Sequence, residues 1–268
     1  MNNLHRELAP ISRAAWDQIE EEASRTLRRH LAARHVVDVQ GPKGVEFSAV
    51  GTGHLRQITT PGDQIQAAAR ETKALVEFRI PFELTRQAID DVERGALDSD
   101  WSPLKDAARK IAFAEDRAVF EGYAPGQIQG VSQGTSNPVL TLPADVKGYP
   151  DTITQAVSQL RLAGVNGPYA LLLSAEAYTA VGGVSDNGYP VVEHIHRLVD
   201  GEIVWAPAIK GGLVLTTRGG DFALHLGQDI SIGYLSHSES TVRLYLQETF
   251  TFLMLTAEAA VVLAPSER

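Results

Sequence analysis

No cysteine occurs anywhere in the 268 residues, so disulfides, thiolate zinc sites and a cysteine nucleophile are excluded. No apolar run approaches the roughly 18 residues that a membrane span requires. The opening Met-Asn-Asn-Leu-His-Arg-Glu-Leu-Ala-Pro lacks the uninterrupted apolar centre of a secretory signal peptide. The expectation is therefore a cytoplasmic protein with no membrane partner. Positive charge is also short: 24 Lys and Arg stand against 33 Asp and Glu, a formal net charge of −9. That balance disfavours non-specific nucleic-acid binding. Internal repeats and low-complexity tracts are missing as well.

What remains is a chain long enough for a sizeable core, in one large or two moderate domains. Its composition, 44% hydrophobic and 21% charged, is that of an ordinary globular protein. A first helix is predicted over residues 12 to about 33, capped by Ser12, with Ile11 stapled on Trp16. Trp16, Ile19, Ala23, Leu27 and Leu31 recur at three- and four-residue steps and form one apolar stripe. That stripe either docks the helix on its own core or forms part of a groove for a partner peptide. Short strands follow over 36–39 and 45–50. Residues 51–73 are polar and poor in core-forming periodicity, which predicts a disordered loop or an arm ordered by a neighbouring subunit.

Val76, Phe78, Ile80, Phe82 and Leu84 then alternate with polar residues and Pro81, the pattern of a half-exposed strand in which the proline marks an edge or a bulge. A short helix ends near Gly95. Ser102-Pro103 opens a long one that Gly122 stops. The glycine- and proline-rich interval 122–143 reads as a boundary. Beyond it helices alternate with strands: helix 151–163, strand 169–173, a helix capped by Ser174, an exposed loop over 184–190, helix 191–199 and strands over 202–205 and 213–217. The chain closes on strands separated by glycine turns. In the last long one Val242, Leu244, Leu246, Phe250, Phe252 and Met254 share a parity.

Catalytic patterns are weak. His194 and His196 are two apart on a predicted helix and face different sides, so they cannot share an ion there. Ser174, Asp221 and His225 supply the residue types of a hydrolase triad, but no Gly-x-Ser-x-Gly elbow is present. The Gly-Gly-Asp at 219 and Gly-Gln-Asp at 227 precede strands, not helices, and read as turns with glycine at positive φ. Glu20, Glu21 and Glu22 are consecutive and read as a solvated face. No metal site and no general acid–base pair emerge.

Five motifs in order carry a resemblance. They are Leu-Ala-Pro-Ile at 8–11 with Trp16, Val-Asp-Val-Gln-Gly-Pro at 37–42 with Gly44, Glu-Arg-Gly at 93–95, Gly-Pro-Tyr at 167–169, and the run from Gly227 to Tyr234 with Glu-Thr-Phe-Thr-Phe at 248–252. Nearly end to end, the chain resembles the encapsulins, bacterial shell proteins with the fold of tailed-phage major capsid proteins. The resemblance implies an α+β chain with a peripheral domain over 1–50, an extended arm over 51–73, more peripheral domain over 74–130, an axial domain over 131–225 and returning peripheral strands over 226–268. The arm's backbone hydrogen bonds would go to another chain.

The implied function is self-assembly of many identical subunits into an icosahedral shell around a cargo enzyme. A dye-decolourising peroxidase is the first expectation and a ferritin-like protein the second. The cargo's C-terminal targeting peptide would dock against Leu27, Leu31, Arg34 and Asp38, with Ile232 and Tyr234 across the groove. Ser185, Asp186, Asn187, Gly188 and Tyr189 would line a small, mildly cation-favouring pore near a fivefold axis. Some family members stack a flavin on a tryptophan where this chain has Arg86, Gln87 and Ala88, so no cofactor is expected. A phage capsid protein packaging nucleic acid and a peptidase or bacteriocin-like enzyme are the competing readings.

Overall fold

The computed structural model describes residues 3–186 and 188–266. Ser12 opens α1 (Arg13–His30) by accepting a hydrogen bond from the Ala15 amide at 3.2 Å. Ile11 and Trp16 each pack against the cluster that contains Ile19 and Leu84. After α1 come β1 (Asp38–Gln40), β2 (Ala49–Gln57), β3 (Ala68–Ala74) and β4 (Val76–Thr85). Then follow α2 (Arg86–Glu93), α3 (Ser102–Phe120), the short α4 (Val131–Gly134), β5 (Leu140–Thr141), α5 (Tyr149–Leu162), β6 (Tyr169–Leu173) and α6 (Ala175–Gly183). Next are β7 (Ser185–Asp186), β8 (Tyr189–Pro190), α7 (Val191–Leu198), β9 (Ile203–Trp205) and β10 (Gly212–Thr216). The last four strands are β11 (Phe222–Leu226), β12 (Ser231–His237), β13 (Thr241–Met254) and β14 (Ala260–Ala264).

Two five-stranded sheets organise these elements. In the first, β13 is the spine. Residues 242–247 of β13 pair with both β12 and β4, so these two strands lie on its opposite edges. β11 continues the β12 side, and β1 adds to it in parallel. Pro81 sits in β4, which pairs only with β13 among the described strands, as an edge position allows. The second sheet runs β5-β14-β10-β6-β9. Helices α1, α2 and α3 cover the first sheet, while α5, α6 and α7 cover the second. A shared core containing Leu172, Leu213, Leu224, Phe250 and Phe252 joins the sheets.

Several expectations change at this level. The strand expected over 45–50 begins only at Ala49, and 36–39 contributes its last two residues to β1 while Val36 and Val37 enter the core. Residues 51–73 are not an unpaired arm. β2 and β3 form an antiparallel hairpin with a register shift between Gly51 and Leu55, so their inner backbone groups bond to each other. The segment boundary at 225/226 cuts off the end of β11, and β14, from the C-terminal segment, pairs with β10 and β5 in the second sheet. Chain order therefore does not follow sheet membership. Gly219 and Gly220 do have positive φ, at 85° and 83°. Gly227 does not; there a Cβ would lie 2.5 Å from Thr249 Oγ1, so close approach is what requires glycine. Glu22 is not on a solvated face but buried, bonded to Arg25.

Candidate functional site

Between α1 and β12 runs a groove of about 680 Å³. Its sides follow from two periodicities. Ala23, Leu27 and Leu31 descend one face of α1 at four-residue steps, and Ile230 and Ile232 are two apart along the chain entering β12. Leu4 and Leu246 complete the apolar lining. The ends are charged. At one, Arg6 pairs with Glu20 at 2.5 Å and lies 4.1 Å over the Trp16 ring. At the other are Arg34 and Asp229, joined at 2.7 Å. An apolar trough with ionic ends suits a short extended peptide with aliphatic side chains.

Of the six residues expected at a docking groove, four are brought together: Leu27, Leu31, Arg34 and Ile232. Asp38 is elsewhere. Its carboxylate accepts from the Gly220 amide at 2.6 Å and fastens β1 to the turn before β11. Tyr234 also falls outside the lining. Its hydroxyl meets His237 Nδ1 at 2.5 Å, and its amide donates to Leu4 O at 2.8 Å. Arg34 is not a free cation awaiting a ligand. Glu115 accepts from its Nε at 2.9 and 3.1 Å and from Nη2 at 2.5 Å. These partners hold the guanidinium well above its ordinary basicity, against the opposing effect of burial.

The partners of Arg34 escaped sequence reasoning, although a signal existed. Glu115 lies four residues after Ile111 and three before Ala118, on the buried face of α3. Glu248 shares the parity of Leu246 and Phe250 in β13. Both are fully buried, as is Asp116. A charged residue in an apolar period is the pattern that marks a buried polar cluster.

The five expected pore residues map to a second location. Ser185 and Asp186 of β7 pair with Pro190 and Tyr189 of β8, and Gly188 turns between them at φ 85°. Asn187 lies outside the described residues. The hairpin is exposed, but its acidic character is offset, because Lys147 Nζ stands 3.8 Å from Asp186 and Arg197 lies 5.1 Å over Tyr189.

The catalytic candidates separate. Ser174 caps α6, Asp221 is bonded to Arg218 at 2.9 Å, and His225 faces Lys43 at 3.5 Å. Burial, then the Lys43 charge, lowers the His225 pKa. Among the described residues no group of three or more His, Asp or Glu is placed to hold a metal ion. None of the described helices is long and apolar enough to cross a membrane.

Comparison with known proteins bears on the chain as a whole. Residues 1–251 match the family described as an encapsulating protein for peroxidase. The type 1 encapsulin shell protein of Rhodococcus erythropolis is 61% identical over 264 residues, covering 98% of this chain and 100% of that one. Among solved structures, the virus-like particle from Pyrococcus furiosus superposes with a TM-score of 0.67 at 14% identity, covering 92% of this chain and 98% of that one. The capsid of Myoviridae phage XM1 superposes with a TM-score of 0.53 at 9% identity, over 88% and 92% of the two chains. At such low identity these two establish the fold alone: it is the tailed-phage capsid fold. Relatives named as shell proteins remove the enzyme reading.

Proposed function

The chain belongs to the family of encapsulating proteins for peroxidase, and from that premise we propose that it closes into an icosahedral shell around a cargo enzyme in the cytoplasm. The first sheet with α1, α2 and α3 is the peripheral domain in this reading, and the second sheet with α5, α6 and α7 the axial domain. The β2–β3 hairpin is the arm. Leu55 on it is 64% exposed, and Ile58 and Ile65 in its loop are also exposed, which suits an apolar contact with a second copy. The β7–β8 hairpin lines a pore for small molecules, with Lys147 moderating its acidic lining.

The cargo enters the account through the α1–β12 groove. A C-terminal targeting peptide lays aliphatic side chains on Leu27, Leu31 and Ile232, and the Arg34–Asp229 pair receives its polar groups. A dye-decolourising peroxidase is the favoured cargo because the family description names peroxidase; a ferritin-like protein is second. The observation that carries the docking site is the groove itself, apolar and open on an otherwise acidic chain.

Native mass and negative-stain imaging of the purified chain test assembly: hollow particles of uniform size are expected, and a small oligomer refutes the shell. Nucleic-acid absorbance inside the particles would favour the phage-capsid reading. Co-expression with a dye-decolourising peroxidase, with and without its C-terminal tail, tests docking. Leu27→Asp is expected to leave particles intact and abolish tail-dependent loading; unchanged loading removes the groove from the account.

A further inference from the structure

On the flank of α1 away from the groove, a second cleft of about 380 Å³ runs between α1 and α3. The two helices meet over a shared apolar core that includes Ile19, Ala23, Leu104 and Ala108. Above it, Arg25 and Arg29 come from α1, and Lys105 and Arg109 from α3. The members of each pair are four residues apart, so each helix stacks its two cations on one face. Arg25 and Arg29 each stand about 200° of helix turn from Leu27 and Leu31 respectively. The helix therefore presents charge to one hollow and aliphatic side chains to the other.

Each cation is held in place. The buried Glu22 carboxylate bonds Arg25, and Lys105 Nζ stands 3.8 Å from it. Thr26 Oγ1 donates to the same carboxylate at 3.4 Å. Arg109 donates to Asp106 at 2.9 Å. Arg29 has no carboxylate in ion-pair range among the described residues; its guanidinium lies 5.8 Å over the Trp205 ring. His30 completes the α1 side: its Nδ1 donates to Thr26 O at 2.7 Å, and its ring meets Phe113 edge-on at 5.7 Å. Four cations thus face the two carboxylates of Glu22 and Asp106, a local positive excess on a chain whose formal net charge is −9.

We propose that this cleft binds a compact phosphate anion carrying several charges, of the oligophosphate class. Guanidinium forks match phosphate oxygens in pairs, and a lysine adds a point charge. Charges fixed on two sides of a cleft reinforce one another between them, and holding them in advance lowers the cost of binding. Arg25, Lys105 and Arg109 are exposed, which leaves donors beyond their ion pairs for a ligand. A nucleic-acid strand fits less well. No Phe, Tyr or Trp lines the cleft for bases to stack on, and outside it a long polyanion would meet an acidic chain. The site does not rest on the docking reading, because none of its lining residues lines the groove.

The test is calorimetric titration of tripolyphosphate into the purified full chain, in whatever assembly it forms, at low ionic strength. Saturable binding at one site per chain is expected, weakening as salt is added. Arg29→Gln and Arg109→Gln should each weaken it about tenfold, the loss of one charge-assisted contact. Arg29→Gln breaks no ion pair, so it is expected to fold, and Arg109→Gln repeats the test from α3. Lys110→Gln removes the same charge from α3 outside the lining and should weaken binding by less than about twofold. Adenosine triphosphate, titrated in parallel, separates the sources: equal affinity assigns a nucleotide's phosphate chain, weaker binding the free anion, and either upholds the site. No saturable binding of tripolyphosphate would overturn the proposal, as would unchanged affinity in both arginine variants. An equal loss in Lys110→Gln would overturn it in favour of diffuse attraction. A single-stranded oligonucleotide that binds where tripolyphosphate does not would make the surface a strand-binding one instead. Cargo loading is not a readout, so failure of the docking reading and failure of this site remain separate results.

Discussion

The central strands of the two sheets are buried by opposite means. β6 and β10 are buried from end to end, and nearly every side chain in them is apolar. β13 is almost as buried over its middle, yet it carries Gln247, Glu248 and Thr251 there. In the second sheet, dispersion and burial suffice, and one aliphatic side chain can substitute for another of similar volume. The first sheet adds a polar cluster in which each group depends on its partners, so that removing one strands the rest. The fragile region is thus the one that also builds the groove.

That contrast can be broken most directly at Arg34. Arg34→Met leaves Glu115 and Glu248 buried without their cation and should cost ~4 kcal/mol, measured by denaturant unfolding of the full chain. Leu171→Ala in β6 creates a cavity in the apolar counterpart, the second sheet's own core, and should cost ~3 kcal/mol by the same assay. A smaller loss for Arg34→Met than for Leu171→Ala would mean that pairing does not hold the first sheet. The comparison is sharpened by two serines with one role. Ser12 caps α1 beside the first sheet and Ser174 caps α6 beside the second, each accepting an amide hydrogen bond. Alanine at either should cost ~1 kcal/mol, and equal losses would place the difference between the regions in their cores, not in their helix ends. Smallest is Lys147→Ala at the half-exposed pair with Asp186, expected to change stability by about 0.5 kcal/mol or less. Its visible effect should be faster entry of small cations into assembled particles, followed with an encapsulated dye.

Much of this architecture was legible in residue order. The spacing of Val76, Phe78, Ile80, Phe82 and Leu84 announced β4, and the uninterrupted run at 169–173 announced β6 with its observed ends. Ser12 and Ser174 marked helix starts because capping is a local event, and the Ser102-Pro103 pair marked a third because proline suits the first helical turn. The segment 51–73 stood out by its lack of core residues, but its hairpin did not, since pairing between β2 and β3 joins residues as far apart as Ala49 and Ala74. Half of the groove was visible as the α1 stripe. Its other side needed β12 to be carried across the chain to face that stripe. Asp38 and Tyr234 fall outside the groove lining, Asp38 tied to the Gly220 amide and Tyr234 to His237, contacts that residue order does not show.

By itself the sequence determined the α+β class, the succession of helices and strands, the absence of thiol chemistry and of an apolar span, and, through its ordered motifs, the resemblance to a shell protein. All but the resemblance are properties of composition and of periods two and 3.6, which act within a few residues; the resemblance rests on motif order. Tertiary structure alone decided that β14 returns to the second sheet, that Arg34 is held by Glu115 and Asp229, and that Glu248 is buried without a donor. Those facts depend on contacts between residues 45 to 214 positions apart, for which a one-dimensional pattern carries no distance.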